Sequence, residues 1–224
     1  MNRKKQPELS CSVISGDPLS IREDVKLLVQ GGIDSFHFDV MDGVFVPRLG
    51  LYPEYLSMLR SLTSLPIEIH LMLENPEPYI EHFSKCENVK IIPHIEAMKH
   101  PIRTLMKIRG ENCSAGVAIN PGTQLSVIEP IIDHIDSVML MSINPGIVGH
   151  KLLDNTFDRL AALKSLIGPD KNIKIILDGG VTFENALQLI EAGADSIVCG
   201  AGTVFKAKDR ILENTMSLRS LVDI

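Results

Sequence analysis

The fold is decided first by the stretch SFHFDVMDG at residues 35–43, an apolar run that ends in a carboxylate and a glycine. Alternate residues of a strand share a face, so His37, Asp39 and Met41 point to one side and the residues between them to the other. Nearly continuous apolar runs are typical of parallel strands that are covered on both faces. The stretch therefore predicts a buried parallel strand with an imidazole and a carboxylate on one face.

Short apolar runs of the same kind recur at intervals of about 20 to 36 residues, which suits strands alternating with helices. They predict eight strands at Leu9–Val13, Ser35–Val40, Ile67–Leu71, Val89–Ile92, Ala115–Ile119, Ser137–Met141, Ile173–Leu177 and Ser196–Cys199. Amphipathic segments between them predict helices, and those at Ile21–Gln30 and Asn185–Ala192 end at glycines. Eight strand–helix pairs predict an α/β fold, a single-domain (β/α)8 TIM barrel of residues 9–224 after an N-terminal tail of residues 1–8. A six-stranded open α/β sheet is the structural alternative.

Polar side chains stand at the ends of the predicted strands, where the chemistry of such barrels is concentrated. His37 and Asp39 lie near the end of the second strand, His70 near the end of the third, and Asp178 directly after the seventh. Two imidazoles and two carboxylates form a donor set for one divalent cation, and nitrogen and oxygen ligands suit Zn, Fe, Co or Mn. The sequence therefore predicts a metal site formed by His37, Asp39, His70 and Asp178.

The composition limits the classes of partner. The chain has 224 residues with a formal net charge of −6, no tryptophan and no basic cluster beyond Arg3-Lys4-Lys5, which argues against nucleic acid. Its longest apolar stretches are shorter than the roughly 20 residues that cross a bilayer, so no membrane association is expected. The four cysteines show no paired spacing, which favours free thiols in a reducing compartment. We therefore expect one soluble, cytoplasmic domain.

Several short motifs resemble those of the ribulose-phosphate 3-epimerase family, in the family's order, from about Leu9 to Phe205. The matching segments are Ser10-Cys11-Ser12-Val13, His37–Pro47, His70-Leu71-Met72, Glu74-Asn75-Pro76, His94-Ile95-Glu96-Ala97, Asn120-Pro121, Met141–Gly146 and Asp178-Gly179-Gly180-Val181. Each motif alone is weakly specific, whereas the combined order and spacing are highly specific. The resemblance implies a TIM barrel of the ribulose-phosphate-binding type.

The resemblance also implies an activity and a site. The activity is metal-dependent epimerisation at carbon 3 of a phosphorylated 2-ketose, with D-ribulose 5-phosphate and D-xylulose 5-phosphate as the first pair to consider. Asp39 and Asp178 are implied to be metal ligands and also the acid and base that move the proton. The residues implied to contact the substrate are Ser12, Met41, Met72 and Met141, with Gly146, Gly149, Gly179, Gly180, Gly200 and Ala201 near its phosphate.

The chain departs from the family pattern in its phosphate loops. Gly146-Ile147-Val148-Gly149-His150 replaces the common Gly-Phe-Gly-Gly-Gln, which removes a glycine that could bring backbone close to an anion. Gly200-Ala201-Gly202-Thr203 replaces Gly-Ser-Ala, and this longer spacing is similar to the branch that acts on D-allulose 6-phosphate. Arg48 also differs from the family pattern and offers a charge-assisted phosphate contact.

Three alternative functions are open: a D-allulose-6-phosphate 3-epimerase, an epimerase of another ketose phosphate, and a non-catalytic sugar-phosphate-binding protein. Decarboxylation is disfavoured because His70-Leu71-Met72 stands where related decarboxylases carry an Asp-x-Lys motif. His94 and Glu96 are interpreted as a supporting pair at the fourth strand, and Asp42 as a turn-forming carboxylate before Gly43. Barrels of this type often associate, so we expect a homo-oligomer.

Overall fold

Eight parallel strands form a closed barrel in the computed structural model, which describes residues 6–147 and 149–223. The strands follow one another in sequence order, and the last pairs with the first. They are β1 (Glu8–Ser12), β2 (Ser35–Met41), β3 (Ile67–Met72), β4 (Val89–Pro93), β5 (Ser114–Ile119), β6 (Ser137–Met141), β7 (Lys174–Asp178) and β8 (Ser196–Cys199). The predicted single-domain (β/α)8 TIM barrel is confirmed, and the open-sheet alternative is wrong.

Helices cover the outside of the barrel. Those in the described residues are α1 (Ile21–Gly31), α2 (Pro53–Leu62), α3 (Ile80–Phe83), α4 (Pro101–Gly110), α5 (Thr156–Ile167), α6 (Ala186–Ala192) and α7 (Ile211–Val222). Gly32 and Gly193 follow α1 and α6 with φ of 93° and 118°, a left-handed conformation that ends a helix and that the sequence predicts. Within the part of the chain that is described, no helix combines the length and apolar character needed to cross a membrane.

The connection between β5 and β6 departs from the predicted alternation of strands and α-helices. It forms a 3-10 segment, Leu125–His134, where an α-helix is expected. Pro130 lies inside this segment, and a proline has no N–H to continue an α-helical hydrogen-bond ladder. The prediction of eight α-helices is therefore wrong at this connection, although Ile128 and Ile131 of the segment are still buried against the barrel.

Some strand boundaries differ from the predicted ones by one residue. β1 begins at Glu8 rather than Leu9, because the Glu8 backbone joins the ladder with β8 and its carboxylate binds the Lys174 ammonium 2.5 Å away. An apolar pattern alone does not predict that a charged residue pairs at the amino end of the barrel. Residues 1–5, with the basic trio, Val148 in the loop after β6, and Ile224 lie outside the described residues. The division into a tail of residues 1–8 and a barrel domain of residues 9–224 therefore stays a prediction.

The strands separate an outer core from the interior of the barrel. Leu9, Phe36 and Ile69 point outward and pack under the helices in the largest cluster of buried apolar residues. Burial of each such side chain contributes roughly 1.5 to 3 kcal/mol. The inward cluster is smaller and consists of Ile92, Ala118, Met139, Met141, Ile176 and Val198. Near the carboxyl ends of β2 and β3, Met41 and Met72 form a further small apolar cluster with Val46. The polar inward side chains near the carboxyl ends of the strands form the site described next.

Candidate active site and metal centre

Four polar side chains converge inside the barrel at the carboxyl ends of three strands. His37 and Asp39 come from β2, His70 from β3, and Asp178 from β7. One donor atom from each of these residues, here called the His/Asp cluster, lies within 4.8 Å of the donor atoms of the other three. The structure thus brings together all four residues that the sequence predicts as metal ligands.

The His/Asp cluster has the donor geometry that a cation needs. His37 Nε2 lies 3.0 Å from Asp39 Oδ1 and 3.6 Å from Asp178 Oδ2, and His70 Nδ1 lies 3.4 and 3.5 Å from the same two oxygens. Among the described residues His70 Nδ1 has no hydrogen-bond partner although it is buried. Imidazole nitrogens and carboxylate oxygens around one point fit a divalent transition-metal ion. The His/Asp cluster is therefore a set of residues that could hold a metal.

The two carboxylates differ in their affinity for a proton. Burial raises the pKa of Asp178 to about 6, a shift that His37 opposes and the negative charge of Asp39 reinforces. Burial acts in the same direction on Asp39, but the two neighbouring imidazoles outweigh it and hold the pKa of Asp39 well below its usual range. Two carboxyl groups whose pKa values are separated in this way are typical of an acid and base pair.

The two imidazoles are also distinguished by their surroundings. Burial alone would lower the pKa of His37, but the charges of Asp39 and Asp178 raise it to about 10. Burial, only partly offset by Asp39, lowers the pKa of His70 to about 3. Near neutral pH the metal-free site therefore holds a charged His37 and a neutral His70. Only a neutral imidazole binds a metal ion, so a metal bound by both histidines would displace the proton of His37.

Hydrogen bonds hold the two aspartates in place. Ser12 Oγ donates to Asp39 Oδ2 at 2.7 Å. Ser142 Oγ lies 2.8 Å from the carbonyl oxygen of Asp178 and 2.6 Å from that of Gly179, which fixes the turn after β7. Asp39 and Asp178 thus enter the site from different strands with defined orientations.

Two further carboxylates have the supporting contacts that the sequence predicts. Asp42 Oδ1 accepts backbone hydrogen bonds from two residues of the following turn at 2.8 and 2.9 Å, and Oδ2 accepts one from Glu74 at 2.7 Å. Glu96 Oε2 lies 3.3 Å from His94 Nδ1. These contacts confirm the interpretation of Asp42 as a turn former and of His94 and Glu96 as a pair.

A cavity of about 800 Å³ opens over the His/Asp cluster. Asp39 and Asp178 are part of its wall, whereas His37 and His70 are fully buried behind it. A cavity of this volume suits a ligand of sugar-phosphate size. All of the residues that the sequence predicts as substrate contacts line it, namely Ser12, Met41, Met72, Met141, Gly146, Gly149, Gly179, Gly180, Gly200 and Ala201.

Part of the cavity wall consists of glycine backbone. Gly146, Gly149, Gly179 and Gly180 all have positive φ, a conformation that favours glycine. A Cβ atom on Gly146 would also overlap the side chain of Val46. Glycine-rich turns of this kind can present backbone N–H groups to an anion.

Several cavity residues are absent from the sequence prediction. Ile143, Lys151 and Asn185 line the wall. Asn185 Nδ2 donates to the carbonyl oxygen of Gly180 at 2.9 Å, and its place just before α6 is a signal that could have been recognised. Lys151 has no such local signal, because its position depends on the path of the loop.

The sequence model of the ribulose-phosphate 3 epimerase family matches residues 8–205. The chain belongs to this family. It is 43% identical over 217 residues to the ribulose-phosphate 3-epimerase of Aquifex aeolicus (strain VF5), and the match covers 96% of each chain. It is 37% identical to the ribulose-phosphate 3-epimerase of Bacillus subtilis (strain 168), with 89% of this chain and 92% of the relative covered.

Two solved structures that share the barrel have much lower sequence identity to this chain. KGPDC from Streptococcus mutans has a TM-score of 0.72 at 13% identity, with 97% of each chain covered. Tryptophan synthase of Mycobacterium tuberculosis has the same TM-score and identity, with 98% of this chain and 94% of that one covered. These two likenesses show the fold alone.

Proposed function

We propose that this chain is a metal-dependent ketose-phosphate 3-epimerase that interconverts D-ribulose 5-phosphate and D-xylulose 5-phosphate. The observation that carries the proposal is the His/Asp cluster, in which an ionised Asp39 and a protonatable Asp178 reach one cavity from two strands. The substrate is proposed from the relatives, which are named ribulose-phosphate 3-epimerases.

Epimerisation at carbon 3 removes a proton from one face of the carbon next to the carbonyl and returns a proton to the other face. In one direction the ionised Asp39 removes the proton, which leaves a planar enediolate. Asp178 in its protonated form then donates to the opposite face. The two aspartates have then exchanged protonation states, and exchange with solvent or the reverse reaction restores them.

A divalent metal ion held by His37, Asp39, His70 and Asp178 would act as a Lewis acid that stabilises the developing negative charge on the substrate. We propose one ion per chain, drawn from Zn, Fe, Co and Mn, all of which accept nitrogen and oxygen ligands. Met41, Met72 and Met141 in the cavity wall exclude water without competing for protons.

The substrate phosphate is proposed to bind at the glycine-rich part of the wall, through backbone N–H groups. Arg48 lies in the same cavity wall. Its side chain makes no hydrogen bond or ion pair with the residues that the structure describes, so the guanidinium is available to a phosphate. The residues of this proposed phosphate site are Gly146, Gly149, Gly179, Gly180, Gly200 and Ala201.

The three alternative functions rest on two specific observations. The longer spacing at Gly200–Thr203 favours D-allulose 6-phosphate or another ketose phosphate as the substrate. The altered loop at Ile147 favours a non-catalytic sugar-phosphate-binding protein. The complete His/Asp cluster argues against this last function, because binding alone needs no acid and base pair.

We also propose that the protein is a cytoplasmic homo-oligomer. All four cysteines are free thiols, which suits a reducing compartment. Leu49, Tyr52 and Tyr79 are exposed large apolar residues that a second copy of the chain could cover. The net charge of −6 supports a small-molecule substrate rather than nucleic acid as the partner.

An activity panel on purified protein of measured metal content tests the proposal. D-ribulose 5-phosphate, D-allulose 6-phosphate and free D-ribulose are compared, with the protein as purified and after reloading with each of the four metals. We expect D-ribulose 5-phosphate to be epimerised fastest. A preference for D-allulose 6-phosphate would change the assigned substrate, and binding without turnover under every condition would identify a non-catalytic protein.

A further inference from the structure

A chain of three buried or half-buried side chains leads away from the His/Asp cluster. His70 Nε2 lies 2.8 Å from His94 Nε2, and the planes of the two rings are 25° apart. His94 Nδ1 lies 3.3 Å from Glu96 Oε2. Both imidazoles are fully buried. His70 therefore has Nδ1 in the His/Asp cluster, while its other nitrogen is connected to a carboxylate through a second histidine.

The hydrogen bonds among His70, His94 and Glu96 can run in either of two directions, and only one direction leaves His70 able to bind a cation. A neutral imidazole has one N–H and one lone pair. If His70 Nδ1 offers its lone pair to the metal, Nε2 carries the hydrogen and donates to His94 Nε2. His94 must then carry its hydrogen on Nδ1, which donates to Glu96. In the opposite polarity, His94 Nδ1 presents a lone pair to a carboxylate oxygen, which is repulsive, and His70 Nδ1 carries a hydrogen where the metal should bind.

Glu96 is held as an acceptor by contacts on its other oxygen. Oε1 accepts a hydrogen bond from the Asn120 backbone N–H at 2.8 Å and a short one from Thr123 Oγ1. Burial alone would raise the pKa of Glu96, but the hydrogen bonds from His94, Thr123 and Asn120 lower it. The carboxylate thus remains an acceptor on the side that faces His94.

We propose that Glu96 is a positioning residue that fixes the tautomers of His94 and His70, so that His70 Nδ1 is kept free of hydrogen for the metal ion. This inference rests on the metal site of the proposed function. It assigns to the His94–Glu96 pair a role in metal affinity, in addition to its structural contact. Carboxylates that orient a metal-binding histidine typically change metal affinity 10-fold to 100-fold when they are removed.

Glu96→Gln is the informative variant because it replaces the hydrogen-bond acceptor that faces His94 Nδ1 with a donor. Asn120 N–H still requires an acceptor, so the glutamine oxygen turns to it and the NH₂ group faces His94. That NH₂ group donates to His94 Nδ1, which moves the hydrogen of His94 to Nε2 and that of His70 to Nδ1. We expect the affinity for Zn²⁺, measured by competition with a chelator, to fall roughly 10-fold to 100-fold. Glu81→Gln, the same change at an exposed carboxylate that pairs with Lys107, is the matched control, and its affinity should stay close to wild type.

A second measurement does not depend on any variant. In ¹⁵N-labelled, Zn²⁺-loaded wild-type protein, long-range ¹H–¹⁵N spectra distinguish protonated from unprotonated ring nitrogens. We expect His94 to be protonated at Nδ1 and unprotonated at Nε2. A hydrogen on His94 Nε2 would overturn the inference. This result does not depend on Glu96→Gln, whose folding is checked by thermal melting of the metal-free variant.

The outcomes separate this inference from the proposed function. If wild-type protein binds no Zn²⁺ or other proposed metal, the metal site itself is wrong and the inference falls with it. If wild-type protein binds Zn²⁺ and folded Glu96→Gln binds it equally tightly, the metal site stands and the role of Glu96 is wrong.

Discussion

Asp39 and Asp178 show how one residue type acquires two properties at the scale of single residues. Both side chains are withdrawn from water, which by itself favours the neutral acid. The two imidazoles of the His/Asp cluster lower the pKa of Asp39, so this carboxylate stays ionised. The negative charge of Asp39 adds to burial in raising the pKa of Asp178, so Asp178 binds a proton more tightly. The difference lies in the neighbours, and it leads to one prediction about turnover and one about stability.

Asn in place of either aspartate should remove catalysis. We expect Asp39→Asn and Asp178→Asn each to lower kcat at least about 100-fold, the usual scale for a positioned acid or base. Asp133→Asn, a change at an exposed ion pair, is the matched control. Metal content is measured alongside, because both variants also lose a ligand charge. In deuterated water the wild-type product should gain deuterium at carbon 3, and a product without solvent label would contradict the two-aspartate mechanism.

The same substitution at Asp178 should stabilise the metal-free protein at neutral pH. The folded-state pKa of about 6 lies above the usual 3.8, so the native state binds this proton more tightly than the unfolded state does. The stabilisation is complete below about pH 4 and is lost as pH rises through about 6. Asp178→Asn stays neutral, so its free energy of unfolding at pH 7 should exceed that of wild type by up to about 3 kcal/mol, and the two should agree near pH 4. Urea unfolding of both proteins checks this, and a pH-independent difference would contradict it.

At the scale of elements, the sequence predicts strands better than connections. Each strand is a nearly continuous apolar run because a parallel strand is buried on both faces. All eight strands are therefore predicted, and the observed ends differ from the predicted ones only slightly. The segment Leu125–His134 is apolar enough for a helix, but Pro130 turns it into a 3-10 segment. The polar residues at the strand ends are local and therefore predictable. The place of Lys151 in the cavity wall depends on which elements meet in the fold. The same holds for the direction of the hydrogen bonds from His70 through His94 to Glu96. The sequence of a single strand does not contain this information.

The loop after β6 offers a test of backbone requirements. Gly146 and Gly149 both have positive φ. A Cβ on Gly146 would overlap Val46, whereas a Cβ on Gly149 meets no atom of the described residues within 4 Å. Alanine at Gly149 costs only the left-handed strain of about 1 to 2 kcal/mol. Gly146→Ala adds a steric overlap, which typically costs a further 1 to 3 kcal/mol or so. We expect Gly146→Ala to raise KM for the ketose phosphate more than Gly149→Ala does, and equal effects of the two would argue against the contact with Val46.

At the scale of the whole molecule, the barrel and the metal site should be separable. The outer core under the helices does not include the His/Asp cluster, so removal of the metal should leave the barrel folded. Chelation is expected to abolish turnover while the far-ultraviolet circular dichroism is retained. Re-added metal at about 100 times its Kd should restore turnover and stabilise the protein by about 2.7 kcal/mol. Full activity of thoroughly metal-stripped protein would contradict this prediction.

The cavity also connects the His/Asp cluster with the proposed phosphate site elsewhere on its wall, so phosphate binding should affect turnover at the His/Asp cluster. A phosphorylated ketose should react with far higher kcat/KM than the same free sugar, because binding energy from the remote phosphate positions the reacting carbon. Arg48→Met removes a charge-assisted contact worth roughly 1.5 to 3 kcal/mol, which corresponds to a loss of about 10-fold to 150-fold in kcat/KM for D-ribulose 5-phosphate. The same variant should leave kcat/KM for free D-ribulose unchanged, since that substrate has no phosphate for Arg48 to bind.

Arg22→Met, which makes the same change of charge on the exposed surface of α1, is the control for long-range electrostatics. If Arg48→Met slows the free sugar and the phosphate equally, the residue acts on the structure of the cavity rather than on the phosphate. If the free ketose reacts as well as its phosphate in wild-type protein, the enzyme is a free-sugar epimerase.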